Sequence, residues 1–588
     1  MTSRLGFTAG LTAILFVLGL VMGESFLADR LGHDYTYFLP MLLSGQYWWL
    51  ANGAFAVPWF TPAMCGGLPF LANPQNMYYS VPQLLTLLTD PANAVYVTIL
   101  LFGALGFVGM YRLLVRQLTI PVDVAVFAAS AFVLNGFWLQ RMLTGHFTNH
   151  GFMLVPLITL CLLPSNRPGP ALAMLRWITA AGLIAYLVHS GAANLMVPAM
   201  LAVLGCGLIV SSRRPVLPGF LLRMATAGAL AAALSASKIT AALALMAHFP
   251  RDQYSLPGFN GPLAAAKNLL LALAGWDPQA RAAALVNSSF PLPAMEMDYG
   301  ITPLPWLLAL IGLGFAARRY RHLPAVESGT RATTMQYLSA VGVVFILVVP
   351  LALNTWAPGW TEWLRSLPYL RSSSSLLRWI ALDIPLLLVL MALAASYISP
   401  ILPRQILMIS ATVALLGYVT TTQRYQVLDP TFDPSTVRAG WLAARVAGAP
   451  PSIERIVVAD AQTYIGTSDV MVAGSSELIC YEPVFGYSLE NYPIGDLHPG
   501  PVLEEQGGRL NLKNPACYPF AAANACAPGD HFTVAQRQDA LAFIRYQPFP
   551  FEQPLRQQVA GWINMTAVIA WLLLLFGTLL RLFLRRLF

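Results

Sequence analysis

The sequence predicts a polytopic α-helical membrane protein of about twelve transmembrane helices, with a C-terminal extracytoplasmic domain of α/β or β-rich character. Three observations lead there. Of 588 residues, 57% are hydrophobic and only 10% are charged, against about 25% charged in soluble chains. Several apolar runs approach the roughly 20 residues that cross a ~30 Å hydrocarbon core. The charge is also unevenly placed. From Thr422 to Gln557, 9 Lys and Arg oppose 14 Asp and Glu, a net of −5, so of the formal +8 the remainder carries +13. That excess sits in short loops between apolar runs, which is the topology signal of membrane proteins and not the basic face of a nucleic-acid binder.

We place the spans near 7–23, 92–115, 122–140, 151–164, 174–190, 195–211, 225–247, 301–317, 336–354, 377–398, 404–421 and 558–580. The first follows a short positive N-terminus (Arg4) and reads as a retained helix, since no clear A-x-A cleavage site follows it. The fourth is short. Arg112, Arg116, Arg167, Arg176, Arg213, Arg214, Arg318, Arg319, Arg321, Arg331 and Arg404 fall in loops expected inside, as does the basic tail with Arg581, Arg585 and Arg586. Both termini are then cytoplasmic in a bacterial inner membrane. Strict alternation does not reproduce every loop assignment, so at least one span is miscounted.

The domain map is a transmembrane module over 1–421 with large outer loops at 24–90 and 249–300, a periplasmic domain over 422–557, and a last helix with a basic tail over 558–588. Shorter outer segments surround Arg141 to His150 and Asn354 to Ser375. The 422–557 region alternates apolar and polar residues, as in IERIVVAD, and is dense in turn residues. No internal repeat is visible, which weighs against an inverted-repeat transporter. Cys161 and Cys206 lie within spans as inert apolar residues. Cys65, Cys480, Cys517 and Cys526 lie outside. Cys517 and Cys526 are placed to bridge in an oxidising compartment, the alternative being two free thiols.

The first outer loop is the most informative stretch. It reads GHDYTYFLP from Gly32 and WFTPAMCGGLPFLANPQNMYYSVPQ from Trp59. Asp34 falls just past the first span, among Tyr35, Tyr37, Trp59 and Tyr78. Burial there raises the expected pKa of the carboxyl and suits it to accept a proton. The plain alternative is a helix cap or a solvated juxtamembrane acid. The Gly-Gly and Pro-rich sequence suggests a loop folded back along the membrane.

This pattern, an Asp in the first outer loop followed by P-W-F-T-P, G-G-L-P, A-N-P-Q and Y-Y, resembles the GT-C superfamily of membrane glycosyltransferases, and more closely its YfhO-like branch. GHFTNHGFMLVPL from Gly145, SLPYLRSSSSLLRW from Ser366, CYEPVFGYSLENYP and LNLKNPACYPF also resemble segments of that branch. The resemblance implies transfer of a sugar from a polyprenyl-phosphate carrier to an acceptor hydroxyl on the outer face, usually with inversion. The acceptor is a glycan, a lipid or a protein. Asp34 takes the expected role of base.

A leaving lipid phosphate calls for positive charge. Arg371 and Arg378 flank a Ser run at the outer end of a span, and an Arg fork suits a phosphate; the alternative is snorkelling to lipid headgroups. Tyr35, His146 and His150 are further candidates for substrate or phosphate contact. The two histidines, four residues apart between Gly145 and Gly151, would otherwise be an interfacial pair held by water. Lys238, deep in ALSASKITAALALM, either meets the carrier phosphate or pairs with Asp383. A divalent metal, Mg or Mn, is possible, with Asp34, His146, Glu296 or Asp298 as ligands. Glu296 and Asp298 in PAMEMDYG otherwise form a polar edge before the next span. Two other functions remain open, a lipid or sugar flippase or transporter and a non-enzymatic envelope assembly protein.

Overall fold

The computed structural model describes residues 2–164, 169–249, 258–285, 298–321, 334–367, 370, 376–422, 431–458, 467–479, 482 and 497–587. Among the described residues, ten helices are long and apolar enough to cross a membrane, from Arg4–Leu27 to Leu555–Arg585. The protein is a multi-pass helical membrane protein; about twelve spans are expected from the sequence, and ten such helices occur among the described residues. The short fourth span is a 3-10 segment, Phe147–Leu154, running into an α-helix at Val155–Leu162, too short to cross alone. The stretch expected at 301–317 is a 19-residue helix, Pro303–Arg321, that is not among the ten. The expected 225–247 span is two helices, Leu217–Leu234 and Ala236–His248, meeting at Ser235. Within the segment expected as an outer loop lies a further apolar helix, Pro262–Ala274.

Helix ends sort into two ends of the bundle. One carries the connection from the first span to the second, residues 28–90, together with the C-terminal region. Trp441 Nε1 donates to the Thr86 carbonyl at 2.8 Å, and Gln557 Nε2 to Ser237 Oγ at 3.0 Å. The other end carries cations. Arg214 Nη1 meets Gln117 Oε1 at 3.0 Å, and Arg404 pairs with Asp123 at 2.8 Å.

The C-terminal region is mixed α/β. Helix Ser435–Ala447 precedes a three-stranded sheet in which Arg455–Val457 lies between parallel Ser475–Glu477 and antiparallel Gly500–Pro501. A second, antiparallel sheet orders Glu505–Gln506, Arg509–Lys513 and His531–Thr533. Cys517 and Cys526 are disulfide-bonded, and Cys65 is also in a disulfide. The first connection is woven into this region. Leu31 bridges Phe432 and Met64 bridges Glu477, while the Lys513 amide donates to the Gly66 carbonyl at 2.8 Å. Its loop helix, Tyr35–Asn52, is buried from Tyr35 to Trp48. A single cation, Arg438, ties the two together by pairing with Asp29 and Asp90 and donating to the Phe26 carbonyl.

A break in one span sets the direction of a short helix at the loop end. The Val122–Thr144 span is interrupted at Asn135, whose side chain accepts from the Trp138 amide at 2.9 Å and caps a new helix, Gly136–Thr144. The freed Gly136 amide donates to the Gly300 carbonyl at 2.8 Å. Beside it Asp298 is held in a fork by Arg281, at 3.1 and 2.8 Å, and accepts from the Gly300 amide. The remaining donors of Arg281 meet the carbonyls of Gly275 and Trp276 and the Tyr418 hydroxyl. Both members of the pair are under 5% exposed. Removing one partner of such a pair costs about 3–5 kcal/mol, because the other charge is left buried, whereas an apolar pair of similar volume is nearly neutral. Asp298→Asn or Arg281→Met should therefore lower the thermal midpoint in detergent markedly. The double variant Arg281→Met/Asp298→Leu should recover most of that loss.

Candidate active site at the loop end of the bundle

Asp34 occupies the position that precedes the loop helix, where an Asp side chain usually accepts from the second or third backbone amide. It makes no such bond. Its carboxylate turns sideways instead. Oδ2 meets His146 Nε2 at 2.5 Å and Oδ1 meets His33 Nδ1 at 3.3 Å. The helix-cap reading of Asp34 therefore fails on geometry. The solvated reading fails too, since the side chain is only 13% exposed.

Two glycines let the segments approach this closely. The Asp34 amide donates to the Thr144 carbonyl at 3.1 Å. A Cβ on Gly32 would lie 2.2 Å from the Leu143 carbonyl oxygen, and one on Gly145 would lie 2.6 Å from the Tyr35 nitrogen. Gly145 also adopts φ +102° in ending helix Gly136–Thr144, a conformation that disfavours any side chain. His146 comes next in the chain and is thereby aimed back at Asp34. On its other side, Arg141, one helical turn earlier, donates to His146 Nδ1 while its guanidinium lies over the Phe137 ring.

The electrostatics reverse one expectation. Burial does push the Asp34 carboxyl up, but the charge and hydrogen bonds of His146, and then those of His33, outweigh it and hold the group well below the usual carboxylate range. Desolvation is legible in the local sequence; the pairing of both imidazoles with one carboxylate is not.

Other candidates lie elsewhere. Tyr35 is fully buried and donates to the Met142 carbonyl at 2.6 Å, so it ties the loop helix to helix Gly136–Thr144. His150 is fully buried. Its Nδ1 donates to the Phe147 carbonyl and its Nε2 accepts from the Tyr186 hydroxyl, both at 2.7 Å, between the Phe102 and Phe147 rings. With both nitrogens satisfied it is a core histidine. Lys238 is 3% exposed and donates to the Asn76 carbonyl; no ion pair with Asp383 forms. Asp298 is committed to Arg281. Arg378 is half-buried in the 3-10 segment Leu376–Leu382. Arg371 and Glu296, like Cys480, lie outside the described residues.

No group of three or more His, Cys, Asp or Glu side chains suited to a metal occurs among the described residues. The Asp34 oxygens face two imidazoles, and those of Asp298 are taken by a guanidinium. Sequence reasoning missed Arg141 and His33 as parts of the site. A cation in the apolar run before Gly145 is the signal that pointed to Arg141. It also missed Glu482, a buried carboxylate from the C-terminal region. Glu482 accepts from the Tyr37 hydroxyl at 3.0 Å and from Asn73 Nδ2 at 3.1 Å, one turn of the loop helix from Asp34.

No family profile matches the chain, and no curated protein matches it. Among solved structures, the chain is similar to the cryo-EM structure of arabinofuranosyltransferase AftD from Mycobacteria, at 16% sequence identity and a TM-score of 0.42. The alignment covers 82% of this chain and 31% of that one, so the chain spans about a third of the length of that enzyme.

The glycine geometry gives a direct check on the site. Gly145→Ala forces a left-handed Ala into contact with the Tyr35 backbone, a strain of about 1–3 kcal/mol. It should lower thermal stability and weaken the Asp34–His146 contact. Gly228→Ala, with nothing within 4 Å of its added carbon, should change neither. Differential scanning fluorimetry in detergent reads both. Asp34 also has a depressed folded-state pKa. Its contribution to stability is therefore present above the ordinary carboxylate value of about 3.9 and is lost only as pH falls below it. The stability difference between wild type and Asp34→Asn should accordingly gain no Asp34 titration step between about pH 5 and 8.

Proposed function

We propose that this protein is an integral-membrane glycosyltransferase that moves a sugar from a polyprenyl-phosphate carrier to an acceptor hydroxyl, with Asp34 receiving the acceptor proton. The observation that carries this reading is a carboxylate at a helix start that forgoes its backbone cap and is held, partly accessible, by two histidines at the end of a membrane bundle. It does not cap its helix, and it is kept ionised with one oxygen only loosely engaged. The resemblance of the first-loop motif to the GT-C superfamily and its YfhO-like branch points to the same chemistry.

In the proposed reaction the acceptor hydroxyl donates to Asp34 Oδ1. Its oxygen attacks the anomeric carbon as the bond from that carbon to the phosphate oxygen breaks, and the electron pair leaves with the polyprenyl phosphate. Attack opposite the leaving group inverts the anomeric centre. The hydroxyl proton passes to Asp34. Because this carboxylate binds protons weakly, the transfer comes late, when bond formation to carbon has made the hydroxyl acidic. We assign stabilisation of the departing phosphate to Arg378 and Arg371.

The orientation we propose places Asp34 on the outer face. Arg116, Arg213, Arg214 and Arg404 gather at the opposite end of the bundle, and a Lys and Arg excess marks the cytoplasmic side. The C-terminal region, packed on the same end as Asp34, would then be periplasmic and would cover the site.

General-base contributions are typically about 10²–10⁴-fold. In a deletion strain complemented with Asp34→Asn, transfer should fall by that order while the protein still inserts. A lipid-linked sugar should accumulate and one envelope glycan modification should disappear, read by mass spectrometry of lipid extracts and purified glycans. Unchanged glycans with the variant fully expressed would remove Asp34 from this role.

A further inference from the structure

We infer that Arg141 is a positioning residue for the Asp34 site, acting by fixing which nitrogen of His146 carries the ring proton. The catalytic consequence rests on the glycosyltransferase reading; the physical content does not. A guanidinium has five N–H donors, no acceptor, and stays charged in proteins. Its contact with His146 Nδ1 is therefore a hydrogen bond only if Nδ1 presents a lone pair. The ring proton then sits on Nε2, and Nε2 is the atom that faces Asp34 Oδ2 at 2.5 Å. The chain of donation runs in one direction, from Arg141 through the imidazole to the carboxylate.

A proton on Nδ1 would set an N–H against the N–H of Arg141. The described groups that face His146 are Arg141 from helix Gly136–Thr144 and Asp34 from the start of the loop helix; His33 faces the other carboxylate oxygen. Arg141 itself is held by the short helix, 2% exposed and lying over Phe137. Phe137 stacks on Tyr299 at 5.5 Å, next in sequence to Asp298. The guanidinium is thus set by the core and not by solvent.

The consequence is directional. Oδ2 is held by the His146 Nε2–H donor. Oδ1, with only the 3.3 Å contact to His33, is left as the face for an acceptor hydroxyl. Without Arg141 the ring loses the donor that holds Nε2 toward Asp34.

The test is ¹⁵N solid-state NMR of the full-length protein in liposomes, histidine-labelled, with His146 assigned by its disappearance in His146→Gln. At pH 8 wild type should show Nδ1 as an unprotonated, hydrogen-bonded nitrogen and Nε2 as N–H. In Arg141→Met the Nδ1 resonance should lose the shift of a hydrogen-bonded nitrogen. Arg141→Gln keeps a donor and should retain the wild-type tautomer. In transfer assays with membrane vesicles and their endogenous carrier-linked sugars, Arg141→Met should lower kcat with little change in KM; Arg141→Gln should be partly rescued. An Nδ1–H tautomer in wild type, or an Nδ1 resonance unchanged in Arg141→Met, overturns the inference. The wild-type spectrum alone decides if Arg141→Met does not fold. If the spectra are as expected but Asp34→Asn transfers sugar normally, the glycosyltransferase reading fails and the tautomer assignment stands.

Discussion

The contact between Asp34 and His146 is the constraint on which the loop end of the bundle depends. It joins two chain segments more than a hundred residues apart, and it exists only because both give up ordinary local structure. Asp34 leaves the loop helix uncapped. Gly145 ends its helix left-handed so that the next residue turns back. Around it, the Asp34 amide to Thr144 and the Tyr35 hydroxyl to Met142 fix the separation of the backbones. Charge-assisted hydrogen bonds of this kind are shorter and roughly twice as strong as neutral ones. They also hold the carboxylate where a helix N-terminus favours negative charge.

That geometry is inherited from deeper in the bundle. The break at Asn135 directs the last turns of the span, and the Arg281–Asp298 fork with the Gly300 carbonyl braces the break from the side. A buried ion pair is weak evidence for net stability, since desolvation consumes most of its attraction. Its value here is directional. An apolar wedge would fill the same space without fixing the angle at which the short helix presents Arg141. From above, Arg438 pins the C-terminal region to both ends of the first connection, through Asp29 and Asp90. Asp34 is thus held between a braced membrane helix and a pinned cover.

How much of this was legible in the sequence depends on what each signal measures. Mean composition and run length report lipid exposure directly, so the multi-pass architecture and most spans were readable. The span 225–247 was read as one helix because the Ser235 junction leaves hydropathy unchanged. Asp34 was readable because an acid beside a span, amid aromatics, is unusual wherever its partners lie. Its charge state was not, since that is set by His33 and His146 together, and only folding brings His146 near. Tyr35, His150, Lys238 and Asp298 carry the right chemistry for a site, yet each is spent on a partner distant in sequence: Met142, Tyr186, Asn76 and Arg281. Residue type predicts what a side chain can do; the long-range partner decides whether it is free to do it.

A weakly basic carboxylate also bears on the kind of transfer the site can support. A strong base would deprotonate the acceptor early and favour an associative attack. A carboxylate held below its usual range does little until the acceptor oxygen has begun to bond, so it suits a loose transition state. In such a state the anomeric carbon is cationic and the phosphate has largely departed. The load of catalysis then falls on placing three charges, the carboxylate, the sugar cation and the leaving phosphate, in fixed order in a water-poor cleft. The packing of the loop helix and the C-terminal region leaves the Asp34 side chain only 13% exposed. A base tuned for proton affinity would gain nothing from it, whereas one tuned for position gains from every brace around Asp34.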